Sequence, residues 1–139
     1  MRVALGVLAD YANVTADGKL NIMGVFQIVY AAQFPYVHPQ MHLVLTLEAD
    51  PSEAGNKKQL EIKLMGPDGA PLLAVGGELE VPKGSPFPGA AIGLNHILGF
   101  QGVRFDKPGD YQFAVLVGGD HKQSIRLKVL QVTPGPPPG

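Results

Sequence analysis

The side chains of this 139-residue chain that could do chemistry are four histidines, seven aspartates and three serines, with no cysteine among them. His38 and His42 stand four apart, the spacing with which a helix offers two imidazoles to one metal ion. Pro39 follows His38 directly and biases it toward extended backbone. Four extended residues span about 13 Å, too far for one ion. The pair therefore reads as one loop histidine and one strand-face histidine. Asp17, Asp50, Asp68, Asp106, Asp110 and Asp120 sit in turns, and Asp10 ends an apolar run. Calcium sites gather such residues because the ion takes six or more oxygens. These are dispersed with no Asp-x-Asp run, so each reads as a turn residue bonding its local backbone. Ser52, Ser85 and Ser124 lie in no Gly-x-Ser-x-Gly, and there is no phosphate loop and no His-Glu-x-x-His. The expectation is a chain that is not an enzyme and carries no metal and no cofactor. An enzyme with an unrecognised site is kept as the third reading.

The chemistry that remains is binding. Phe34-Pro35-Tyr36-Val37-His38-Pro39 is an aromatic stretch stiffened by two prolines, and Tyr30 lies just before it. Exposed, a rigid apolar loop marks a partner or ligand site. Turned inward, Phe34 and Val37 plug the end of a core. The candidate binding residues are Tyr30, Phe34, Pro35, Tyr36, Val37 and His38. A free sheet edge is the second candidate surface, since it can accept a strand from another chain.

The elements that must position these residues read as strands. Glycine (18) and proline (13) punctuate apolar runs instead of clustering, and no window keeps a 3.6-residue stripe over a dozen residues. About eight strand-like pieces result. Residues 2–11 place Val3, Leu5, Val7, Ala9 and Tyr11 on one face. Residues 19–30 align Leu20, Ile22, Phe26, Ile28 and Tyr30, with Gly24 as a bulge or close approach. Residues 41–48 turn Met41, Leu43, Leu45 and Leu47 inward. Asp50-Pro51 suits the start of one helical turn. Residues 57–65 and 71–81 pair across Gly66-Pro67-Asp68-Gly69, with a bulge expected at Gly76-Gly77. Residues 91–105 change inward parity after Phe100, a switch that Gly102 can absorb, with a short helix at 94–98 as the rival. Phe105-Asp106-Lys107-Pro108-Gly109-Asp110-Tyr111 then delivers Tyr111 into an alternating strand. This resembles the tyrosine corner of immunoglobulin-like sandwiches. The expected fold is an all-β, two-sheet antiparallel sandwich over residues 1–132, with a Pro/Gly-rich tail at 133–139.

Charge and hydropathy narrow the partners. Eleven basic residues against twelve acidic give a net charge of −1, with no clustered basic footprint, so nucleic acid is not expected. No run approaches the ~20 apolar residues of a membrane helix, so no membrane partner is expected. The absence of cysteine fits the cytoplasm.

Asp10-Tyr11-Ala12, the run Gly18 to Phe26, Phe34-Pro35, Val37-His38-Pro39, Leu43-Val44-Leu45 and the segment Phe105 to Phe113 together carry a family resemblance. The chain resembles a family of small uncharacterised bacterial proteins, a domain of unknown function. The resemblance implies a cytoplasmic all-β protein with no assigned reaction, and it transfers no catalytic residue. The function expected is a non-enzymatic protein-interaction or assembly module, through a protein partner or self-association. The alternative is a sandwich that binds a small ligand or carbohydrate through Tyr30, Phe34 and Tyr36.

Overall fold

A computed structural model describes residues 1–83 and 89–133. The described residues form nine strands: β1 (Arg2–Val14), β2 (Leu20–Phe26), β3 (Ile28–Ala31), β4 (Tyr36–Ala49), β5 (Lys57–Met65), β6 (Pro71–Glu80), β7 (Ile92–Phe105), β8 (Gly109–Val117) and β9 (Asp120–Gln131). One 3-10 turn, Pro51–Glu53, sits where Asp50-Pro51 announced it. Sheet A runs β2-β1-β4-β7 and sheet B runs β3-β9-β8-β5-β6. All pairs are antiparallel except β3 with β9. The fold is the expected two-sheet sandwich. The loop and tail readings at residues 84–88 and 134–139 lie outside the described residues.

The sheets close on a core that includes Leu8, Met41, Leu43, Leu45 and Leu47 from sheet A. Ile62, Leu64, Phe113, Val115 and Leu127 face them from sheet B. Fully burying one such side chain is worth about 1.5–3 kcal/mol against leaving it in water. The Phe100 and Phe113 rings meet across the layers at 5.4 Å. The tyrosine corner is present: the Tyr111 hydroxyl donates to the Lys107 carbonyl at 2.6 Å.

Three irregularities decide which face each side chain takes. The β1–β4 register shifts between Val3 and Leu5. Beyond that bulge Leu8 pairs with Leu43 and enters the core, while Val7 pairs with Val44 and Ala9 with His42. The odd-numbered stripe Leu5, Val7, Ala9, Tyr11 thus lies on the outside of sheet A, not in the core. One extra residue exchanges the two faces of a strand. The second irregularity is at Gln27, where the chain leaves sheet A and enters sheet B. The single strand expected over residues 19–30 is therefore two, and Tyr30 and Ile28 face outward while Val29 and Ala31 are buried.

The third lies at Gly102, whose φ of 66° is open to glycine at little cost. Phe100 is inward before it, and Val103 and Phe105 after it, as the parity switch required. Residues 94–98 are strand, not helix. No bulge occurs at Gly76-Gly77. The β5–β6 register runs unbroken through them and shifts only between Leu64 and Met65.

Candidate functional site

The stretch Phe34–Pro39 is not one loop. Residues 32–35 form the bend, and Tyr36 already opens β4, pairing with Phe105. Pro39 tolerates this because β1 pairs with β4 only as far as His42, leaving the earlier part of β4 with a free side. The face switch at Gly102 is shared by β4, its partner strand. Tyr36 and His38 turn toward the core side, opposite Phe105 and Val103. Val37, opposite Arg104, is 53% exposed.

The core end is therefore plugged by Phe34 and Tyr36, which pack on the core cluster. Val37, expected in that plug, is outside it. His38 belongs with the plug. Its Nδ1 lies 3.1 Å from the Tyr36 hydroxyl and its ring 5.9 Å from that of Phe26. Burial pushes its imidazole below the usual histidine value, with the Asp10 charge and a backbone hydrogen bond at Gln40 acting in the other direction. Asp10 reaches this end because it stands opposite Gly24 on β2. A Cβ on Gly24 would lie 2.5 Å from Asp10 Oδ2, and its φ is 71°. Asp10, Gly24, Phe26 and His38, all among the residues that carry the family resemblance, thus lie near one another at this end of the sandwich.

Tyr30 is not with them. It stands on the outer face of sheet B, 60% exposed, beside Leu130 on β9. Tyr30, Phe34 and Tyr36 do not share one surface. His42 points away from His38, to the outside of sheet A. There its ring meets Tyr11 edge-on at 5.2 Å, and its Nδ1 lies 3.1 Å from the Asp10 carbonyl. Among the described residues, no three His, Asp or Glu side chains converge to hold a metal ion.

The surface that sequence reasoning missed is that outer face of sheet A. Its rows follow from the register: Met23–Tyr11, Val25–Ala9–His42–Gly99 and Val7–Val44–Ile97. Val44 is fully buried yet belongs to neither core cluster, because its neighbours on the outside cover it. Met23 and Val25 are 58% and 56% exposed, and Tyr11 is exposed beside them. Asn13 and Asn21, hydrogen-bonded at 3.0 Å, and Gln40, Gln101, Thr46 and Asn95 border the rows. Lysine, arginine and carboxylates are absent from these rows and their amide border. Charge returns at the strand ends, in the Arg2–Glu48 and Lys19–Asp17 ion pairs. An outward antiparallel face ordinarily carries the polar half of the alternation. The available signal was the run Leu43-Val44-Leu45, where an apolar residue stands among the outward positions between His42 and Thr46.

A different concavity lies on sheet B, an open groove of about 620 Å³ whose lining includes Ile28, Pro67, Asp110, Arg126 and Lys128. Lys128 and Asp110 lie 3.9 Å apart, so the charges there are partly matched.

Comparison with the curated proteins finds no match. Among solved structures, a similar chain is the Pseudomonas fluorescens alkylpurine DNA glycosylase AlkC bound to DNA containing an abasic site analog. It is 17% identical at a TM-score of 0.42, over 75% of this chain and 27% of that one. This chain thus spans about a quarter of that protein's length. The expectation that nucleic acid is not a partner is corrected on this finding, because a similar chain is DNA-bound and the exclusion does not stand. At that TM-score the likeness carries no argument for DNA binding here. No helix among the described residues is long and apolar enough to cross a membrane. Residues 4–130 match the family described as "Family of unknown function (DUF6941)". The match takes in every strand but the ends of β1 and β9, and the chain belongs to that family.

Proposed function

We propose that this chain is a non-enzymatic interaction module of the cytoplasm that docks a partner protein on the outer face of sheet A. One observation carries the reading: Tyr11, Met23 and Val25 stand exposed on a contiguous, uncharged sheet face where a solvated strand surface would carry polar residues. An interface core has this composition, aromatic residues and methionine with charge excluded and amides at the rim. The partner surface that fits is likewise apolar and uncharged, since a desolvated unpaired charge is costly. The absence of cysteine supports a reducing compartment. The ligand-binding alternative has less support, because Tyr30 stands on the outer face of sheet B while Phe34 and Tyr36 pack on the core.

A photo-crosslinking side chain placed at position 25 in cells tests the reading. The expected result is a discrete heavier adduct that Tyr11→Lys abolishes. A crosslinking pattern no different from that of a probe at exposed Lys122 would refute it.

A further inference from the structure

A different surface carries a second, independent conclusion. Among the described residues β6 is the edge of sheet B, hydrogen-bonded only to β5. It is ten residues long, and nearly all of it is exposed. Natural edges are blunted by charge, proline, bulges or brevity. The other edge of sheet B, β3, has only four residues, and the outer strand β2 of sheet A is interrupted by Gly24 at positive φ. β6 has none of these devices across Leu73-Ala74-Val75-Gly76-Gly77. Pro71 and the extra residue Leu72, where the register on β5 shifts, lie before this run, and Glu78 and Glu80 lie after it. Beside it, a cleft of about 120 Å³ opens toward β7, lined by Leu60, Ile62, Val75, Gly77, His96 and Leu98.

We infer that β6 pairs with β6 of a second copy of this chain, antiparallel, about a two-fold axis through Val75. The sequence of β6 fits its own reverse in that register. Val75 meets Val75 of the other copy, Leu73 meets Gly77 and Ala74 meets Gly76. Each copy's larger side chains lie over the other copy's glycines. Gly77 has open space where a Cβ would stand, so its surroundings have room for them. Charge selects the direction. Parallel in-register pairing would set Glu78 against Glu78 and Glu80 against Glu80, and like charges directly opposite are destabilising. The antiparallel register places Glu78 and Glu80 beyond the paired run, away from their own copies, and Glu78 keeps its Lys57 partner, 3.8 Å away on β5. Leu73, Val75 and Gly77 share the inner side with Leu64, Ile62 and Leu60 of β5, so pairing would extend the apolar inner stripe across both copies. A two-fold contact closes on itself and ends the edge, where a heterologous one would continue into a filament.

The absence of cysteine makes the register directly measurable. Directly opposed Cα atoms lie about 4.5–5.5 Å apart, within disulfide reach, whereas a residue and its own copy one step off the axis lie about 7–8 Å apart, outside it. Sedimentation equilibrium of the full chain should give twice the chain mass. Val75→Cys should crosslink rapidly under mild oxidation, and Ala74→Cys should not. Gly77→Lys, which meets no atom within 4 Å at its Cβ, should weaken dimerisation by about tenfold with folding intact. Val25→Lys on sheet A should leave the mass unchanged, which separates this contact from the docking face. A monomer at millimolar concentration, equal crosslinking at 74 and 75, or a dimer lost with Val25→Lys and kept with Gly77→Lys would overturn the inference.

Discussion

Tyr111→Phe isolates the tyrosine corner. The ring is almost wholly buried and packs edge-on against Phe105, centroids 5.0 Å apart at 83°. Phenylalanine keeps that contact and deletes only the hydroxyl, which donates to the Lys107 carbonyl at 2.6 Å. A hydrogen bond of this kind nets about 1 kcal/mol, and leaving its acceptor unpaired in a partly buried turn adds to the cost. The expected loss is about 1.5 kcal/mol, or on the order of 5 °C in Tm for a domain of this size. Urea unfolding should show a lower midpoint at unchanged slope, since no extra surface is exposed.

A second readout separates the hydroxyl from mere packing. Burial raises the Tyr111 pKa above its usual 10, opposed by the hydrogen bond to Lys107 and aided by the charges of Asp106 and Asp68. Between the unfolded and folded values the native chain holds a proton that the unfolded chain has lost. Stability therefore falls as pH rises through that window. Tyr111→Phe should remove this part of the alkaline loss. A variant as stable as the parent, with the same alkaline slope, would refute the reasoning.

Three further outcomes follow from other residues. Leu8→Lys should prevent folding and Tyr11→Lys should leave the circular-dichroism melt within about 0.5 kcal/mol of the parent, because the bulge after Val3 turns Leu8 inward and Tyr11 outward. The Glu53 carboxyl is lowered to about 2 by the Asp50 backbone N–H at 3.0 Å, Lys58 at 2.9 Å and the Met1 ammonium at 3.1 Å. Its stabilisation is present above the unfolded value of about 4.5 and fades as pH falls toward 2. Glu53→Gln should cost on the order of 1 kcal/mol at neutral pH and flatten that acid dependence in urea titrations. His38, lowered mainly by burial, holds fewer protons folded than unfolded just below pH 6.5, so acidification through that range destabilises the parent. His38→Gln should lessen that slope.

Much of the fold was legible because alternation and turn chemistry are local. The Pro-Gly corner before Tyr111, the Asp50-Pro51 turn and the parity change around Gly102 each show in a few consecutive residues. What was not legible depends on single-residue slips. Nothing in Arg2-Val3-Ala4-Leu5 announces that Ala4 is the extra residue, yet that slip moves Leu5, Val7, Ala9 and Tyr11 from inside to outside. The transfer at Gln27 is hidden for the same reason, because Phe26, Ile28 and Tyr30 keep perfect period two while the chain changes sheets. Of the binding residues proposed from sequence, Tyr30 and Val37 are exposed but on different surfaces, and Phe34, Tyr36 and His38 close the core. The apolar outer face emerges only once β1, β2 and β4 are set side by side.

Hydroxyl-radical footprinting of the two methionines on either side of sheet A bears most directly on what that face is for. Met41, wholly buried, should resist oxidation both in the purified protein and inside cells. Met23 should oxidise readily when purified and be protected several-fold in cells, where the proposed partner would cover that face. Equal oxidation of Met23 in both settings would contradict the account.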